Sequence, residues 1–151
     1  MDKFNWSTEE IAQLNREFES KPPEALLGWA LRHFHPQVAL ASSFGAEDVV
    51  LVDLLWRLNP QARVFTLDTL RLNTETYEVI DRVRQRYGIS LEIYAPDTAK
   101  ALQMAREHGY NLFYQSVELR QLCCRVRKVE PLERALNGLQ AGLPACAGSR
   151  G

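Results

Sequence analysis

The chain has 151 residues, with 18 Lys plus Arg against 19 Asp plus Glu and a net charge of -1. Hydrophobic residues make up 46% and charged residues 25%, ordinary globular values that exclude collagen, coiled coil and intrinsic disorder. The charge balance gives no reason to expect a long nucleic-acid footprint or an anionic membrane as partner, so any charge-driven function must come from local clusters. No stretch approaches the roughly 20 apolar residues of a membrane helix.

The N-terminal run MDKFNWSTEEIAQL carries early acids and no apolar core of a signal peptide, so the expected compartment is the cytoplasm. Ser7-Thr8-Glu9-Glu10 reads as a capping box opening a helix with Ile11, Leu14 and Phe18 on one face. Pro22-Pro23 ends it, and a second helix follows over 24–34. The apolar run Val38–Ser42 is expected to be a buried strand, and Glu47–Leu58 a nearly all-apolar helix buried on more than one side.

Arg63–Leu67 reads as the second strand and Glu75–Tyr87 as a helix closed by Gly88. Leu91–Tyr94 reads as the third strand. Thr98 is expected to cap a helix ending near Gly109. Ser116–Leu136 reads as helix, with a break expected near the cysteines and a bend or restart at Pro131. Strands alternating with helices predict an α/β fold: a parallel sheet with right-handed crossovers and helices on both faces. A ligand site then lies beyond the carboxyl ends of the strands, at loops 42–48 and 68–75.

Three segments carry chemistry. Ser42-Ser43-Phe44-Gly45-Ala46-Glu47-Asp48 combines hydroxyls, a glycine and a helix start. It suits an anion, and equally suits an ordinary strand-to-helix turn with Ser and Asp as caps. In the second loop, Asp68 can accept from ribose hydroxyls or a purine amine, and Arg71 can pair with phosphate or sulfate. Read plainly, Asp68 caps a turn, Arg71 is solvated and Thr74 caps the next helix. Two such loops at successive strand ends favour a nucleotide crevice.

The third segment holds Arg120, Arg125, Arg127 and Lys128 around Cys123-Cys124. Cα atoms of neighbouring residues sit about 3.8 Å apart, below the usual disulfide range of roughly 4.4–6.8 Å. The pair therefore reads as two free thiols or two metal ligands. Basic neighbours lower thiol pKa values, and thiolates suit zinc or iron–sulfur clusters. His33, His35 and His108 have no ligand spacing and read as surface or helix-end residues. Trp6, Trp29 and Trp56 fall on apolar faces and read as core.

Together the segments SSFGAED (42–48), LDT-x-RL-x-x-ETY (67–77) and SVELRQLCCRVRKVEPLERAL (116–136) resemble the assimilatory adenylyl-sulfate and phosphoadenylyl-sulfate reductases. The resemblance runs from about residue 10 to residue 140. It implies a Rossmann-type fold of the adenine-nucleotide α-hydrolase class, related to the PP-loop pyrophosphatases. It implies that Ser42, Ser43, Phe44 and Gly45 belong to a loop holding the phosphosulfate, and that Asp68, Thr69 and Arg71 line the nucleotide. Cys123 and Cys124 correspond to the tandem pair ligating a 4Fe–4S cluster, and Lys128 to the lysine between cluster and substrate. The Cys-Cys pair favours adenylyl sulfate over phosphoadenylyl sulfate.

In such enzymes a cysteine thiolate attacks the sulfur of the phosphosulfate and expels AMP, or PAP from phosphoadenylyl sulfate. Thioredoxin then reduces the S-sulfocysteine and releases sulfite. A homo-oligomer is compatible with the chain.

Two departures from the family pattern lie in the second loop: Leu70 stands where glycine is usual, and Thr74 where proline is frequent. Beyond residue 139 the family continues into a Trp- and Arg-rich segment, a C-x-x-C pair and a C-terminal Glu-Cys-Gly. Here the sequence runs QAGLPACAGSRG. The expected organisation is an incomplete nucleotide-binding reductase domain over 1–139 and an aberrant or truncated tail over 140–151, with Cys146 outside any ligand pattern. Such a chain offers two matched cluster ligands of four, lacks the nucleophile, and is expected to be inactive by itself.

Overall fold

The computed structural model describes residues 6–144. Four strands form one sheet: β1 (Val38–Ala41), β2 (Arg63–Leu67), β3 (Leu91–Tyr94) and β4 (Ala141–Pro144). Their order is β3-β2-β1-β4, and every pair is parallel. Seven α-helices surround the sheet: α1 (Thr8–Glu19), α2 (Pro23–Phe34), α3 (Ala46–Leu58), α4 (Thr74–Tyr87), α5 (Thr98–His108), α6 (Val117–Cys124) and α7 (Glu130–Leu136). A 3-10 turn (Leu112–Tyr114) precedes α6, and a π turn (Arg125–Val129) joins α6 to α7.

Side chains alternate along the strands. Val38, Leu40 and Val64 face α2, α3 and α4, where they meet Leu31, Val52, Leu55 and Ile80. Ala39 and Phe65 face the opposite layer, with Ala135 and Leu132 of α7. Helices therefore cover both faces. Leu40 and Phe65 are 0% and 1% exposed, and truncating such a side chain to Ala typically costs about 2–5 kcal/mol.

Helix boundaries follow local chemistry. The Ser7 hydroxyl accepts from the Glu10 amide at 3.2 Å while the Glu10 carboxylate accepts from the Ser7 amide at 2.7 Å, completing the capping box. Gly88 closes α4 at φ 61°, a left-handed cap that favours glycine. The cap of α5 is Asp97 and not Thr98: its carboxylate accepts from the Lys100 amide at 3.0 Å. Thr98 is the first helical residue. α3 lies between α2 and α4, which half-buries Val49, Leu51 and Leu54 on its flanks and leaves Val50 facing solvent. Trp29 and Trp56 are half-buried and meet Trp6 and Tyr87 respectively edge to face, at the edge of the core.

The fourth strand is absent from a pattern-based reading. Ala141–Pro144 contains a glycine and ends on proline, both poor strand formers. It lies at the sheet edge, where the Gln140 amide donates to the Gln37 carbonyl at 2.8 Å and leads it alongside β1. The sheet thus continues past residue 139; Cys146 lies outside the described residues.

At the amino end of the sheet, Arg63 grips Glu92 through two bonds of 2.9 and 2.8 Å and donates to the Pro36 carbonyl at 2.8 Å. The guanidinium hydrogen bond holds the Glu92 carboxyl below the usual carboxylate range, against a smaller opposing effect of burial. A depressed folded-state pKa stabilises the fold above the unfolded value and is lost as pH falls through the folded one. Stability should therefore fall as pH drops below about 4.3. Glu92→Gln should flatten that fall, by about 1 kcal/mol for a partly exposed pair. Urea midpoints at pH 7 and pH 3.5 check this; equal pH dependence in both proteins would refute it.

Candidate functional site

Parallel strands bring the two loops to one edge. The Ser42 amide donates to the Phe65 carbonyl at 2.9 Å, and the Asp68 amide to the Tyr94 carbonyl at 2.9 Å, as each chain leaves its strand. Between them lies a cavity of about 330 Å³ lined by Ser42, Ser43, Thr69, Leu72, Lys128 and Leu132, with Ala41, Phe65 and Leu67 as its apolar floor. Larger depressions lie elsewhere, one of about 870 Å³ between α1 and α2. The smaller one joins both strand-end loops to the basic segment, so the chemistry selects it over size.

The first loop is organised from within. Asp48, 4% exposed, accepts from the Ser43 amide at 2.6 Å and the Ser43 hydroxyl at 2.7 Å. The Ser42 hydroxyl accepts from the Phe44 amide at 3.1 Å. These bonds hold Phe44 buried at φ 58°, in the left-handed region. Gly45 is the N-cap of α3 and supplies no side-chain cap. The start of α3 therefore carries no side-chain cap, and a helix N-terminus of this kind suits an anion.

The second loop is a chain of short turns. Asp68 accepts from the Leu70 amide at 2.8 Å and the Tyr77 hydroxyl at 2.7 Å. That bond to Asp68, with lesser contributions from burial and from the carboxylate's charge, holds the Tyr77 phenol above its ordinary range. The Thr69 hydroxyl accepts from the Arg71 amide at 3.2 Å. Leu70 sits at φ 62° and is 56% exposed. The loop thus keeps a glycine-like conformation although leucine occupies the position. Thr74 is the first residue of α4, a position that also suits proline.

Arg71 does not point at the cavity as a free cation. Its guanidinium donates to the Tyr110 carbonyl at 2.7 Å and to Asn111 Oδ1 at 2.9 Å, and lies 5.0 Å from the Phe113 ring centroid. It ties the loop to the 3-10 turn. The cation on the loop's other side is Arg127, 9% exposed, whose Nη1 donates to the Thr69 carbonyl at 2.7 Å. Sequence reasoning counted Arg127 only as part of a basic cluster.

The signal that sets Arg127 apart is Pro131. A proline four residues on removes an amide and its ring would strike the Arg127 carbonyl in a regular helix. The helix widens instead, and the Glu130 amide bonds back to the Arg125 carbonyl. This π turn buries Arg127 and leaves Lys128 exposed on the cavity lining. Neither residue forms an ion pair with a carboxylate among the described residues.

Cys123 packs with Met104, Leu112 and Val126 in a small second core, while Cys124 is exposed. Neither lines the cavity. Among the described residues no group of three or more His, Cys, Asp or Glu is placed to hold a metal. Two thiols in such different surroundings do not by themselves fit a four-thiolate cluster. His33 and His108 lie in the last turns of α2 and α5, and His35 caps α2.

Fold and site define a class: an α/β domain with helices on both faces of a parallel sheet and a polar cavity at its carboxyl edge. A family model described as phosphoadenosine phosphosulfate reductase domain matches residues 37–151, and the chain belongs to that family. It is 41% identical over 132 residues to an adenosine 5'-phosphosulfate reductase of Pseudomonas aeruginosa, covering 87% of this chain and 48% of the relative. It is 48% identical over 104 residues to the protein of that name in Allochromatium vinosum, covering 69% of this chain and 41% of the relative. The chain thus spans about half the length of these relatives or less.

Among solved structures, phosphoadenylyl-sulfate (PAPS) reductase from Candida auris, in a phosphate complex, superposes with TM-score 0.86 at 27% identity. That match covers 99% of this chain and 72% of that one. No helix among the described residues is long and apolar enough to cross a membrane.

Leu70 yields a stability prediction. An L-residue in the left-handed region costs about 1–2 kcal/mol, and glycine gives back roughly 0.5–1 kcal/mol through unfolded-state entropy. Leu70→Gly should therefore raise the melting temperature by about 1–3 °C, whereas Leu70→Ala should not. Differential scanning calorimetry on the three proteins distinguishes them; equal melting temperatures would show the backbone there to be unstrained.

Proposed function

We propose that this chain carries the nucleotide-binding part of a thioredoxin-dependent reductase acting on adenylyl sulfate, with phosphoadenylyl sulfate as the alternative substrate. The observation that supports this reading is the shared cavity, where both strand-end loops meet Lys128 and, among the described residues, neither Arg127 nor Lys128 forms an ion pair with a carboxylate. In this reading the α3 amides beyond Ser42, Ser43, Phe44 and Gly45 receive the phosphosulfate. The loop from Asp68 through Arg71 lines the nucleoside. Lys128 stabilises negative charge developing as the S–O bond breaks.

The full reaction needs a thiolate in line with the sulfur. The thiolate forms an S–S bond to the sulfonate sulfur, and AMP departs with the electron pair of the broken S–O bond. A dithiol such as reduced thioredoxin then attacks the cysteine sulfur, releases sulfite and becomes a disulfide. Cys123 and Cys124 correspond to half of a cluster ligand set, and no step here is assigned to such a group.

A second reading is favoured by the placement of the cysteines. Since neither described cysteine lines the cavity, this chain by itself binds nucleotide without turning it over. Calorimetric titration with AMP should show binding at millimolar concentration or below. Lys128→Ala should weaken it about three- to tenfold, on the order of 1 kcal/mol, with the difference shrinking at high salt. Absence of heat at millimolar AMP from a folded protein would overturn the nucleotide reading. Sulfite released from adenylyl sulfate by the chain with reduced thioredoxin would overturn the inactive one.

A further inference from the structure

Loop 68–71 is strapped to the far side of the molecule at two points. Arg71 reaches Tyr110 and Asn111 at the start of the 3-10 turn, and Arg127 reaches back from the π turn to the Thr69 carbonyl. Both anchors belong to the body whose core holds Met104, Leu112, Cys123 and Val126. The peptide that Arg127 grips is the one entering Leu70, the residue held at φ 62°. Arg127 is buried, yet its Nε has no hydrogen-bond partner. A buried guanidinium with an unmade bond is costly, so its retention needs a return beyond packing.

We propose that Arg127 is a positioning residue: its bond to the Thr69 carbonyl holds Leu70 left-handed and fixes the strand-end loop to the helical segment that presents Lys128. The two sides of the cavity are thereby set relative to each other by one side chain. A loop with glycine at position 70 adopts the left-handed conformation without such help. With leucine there, the conformation depends on the Asp68 and Thr69 turns and on Arg127 together.

The experiment has two arms. In the first, amide hydrogen exchange is measured on the full chain without ligand, which does not depend on the nucleotide reading. Arg127→Met replaces the cation with an apolar chain and removes the orphaned Nε, so the fold is retained. Exchange at residues 70 and 71 should accelerate about tenfold, with β2 unchanged. Arg127→Lys, which still offers one donor, should stay within about threefold of the parent at residues 70 and 71. Unchanged loop exchange in Arg127→Met, equal acceleration in β2, or no rescue by lysine would each overturn the proposal.

The second arm rests on the nucleotide reading and uses AMP titration. Arg127→Met should weaken binding about tenfold. Adding Leu70→Gly to that variant should recover about threefold, giving a non-additive double-mutant cycle. Strict additivity would overturn the link between Arg127 and Leu70. If the parent chain binds no AMP, the nucleotide reading falls while the exchange arm still decides the clamp.

Discussion

Parallel pairing obliges the chain to return across the sheet after every strand, and that obligation organises this domain. β1 and β2 hand over to α3 and α4 on one face, and β3 hands over to the long α5–α7 excursion on the other. Both departures from β1 and β2 open at the carboxyl edge. The excursion then brings the π turn back over that edge before β4 closes the sheet beside β1. Without a common strand direction, Ser43 and Thr69 would lie at opposite ends and share no cavity with Lys128.

The two loops meet the demands of buried polar backbone differently. The first satisfies itself: Asp48 takes both Ser43 donors, and Ser42 takes the Phe44 amide. The second borrows. Its Asp68 and Thr69 turns are local, but its outer face depends on Tyr77, Arg127 and contacts to Tyr110 and Asn111. A loop held by distant side chains is sensitive to changes far from it, in α4, the π turn and the 3-10 turn. The Arg63–Glu92 pair lies at the opposite end of the sheet and serves the fold rather than the site.

Pro131 links sequence to chemistry most directly. In a regular helix Arg127 and Lys128 would follow the cysteines at 100° steps. The missing amide and the ring's bulk force a wider turn instead, and the wider turn sends adjacent cations to different tasks. One is buried against loop 68–71; the other stays exposed on the cavity wall. Ahead of that turn, the 100° step of α6 places Cys123 in the small core and Cys124 outside it.

The sequence by itself determined strands β1, β2 and β3, the helices between them and the edge of the sheet where the loops after β1 and β2 emerge. These are local properties: apolar runs of strand length, a capping box at Ser7, a left-handed cap at Gly88. Motif content in 42–48, 67–77 and 116–136 was equally legible as resemblance. Tertiary structure alone decided the rest. β4 has no strand propensity and exists because β1 offers it an open edge. Arg71 suits an anion on chemistry, but a carbonyl, an amide oxygen and an aromatic ring 39 to 42 positions away claim it. Pro131 marks locally that the helix widens at Arg127 but not what Arg127 binds, because the partner of a buried cation is chosen by where the fold places a carbonyl, here 58 residues distant.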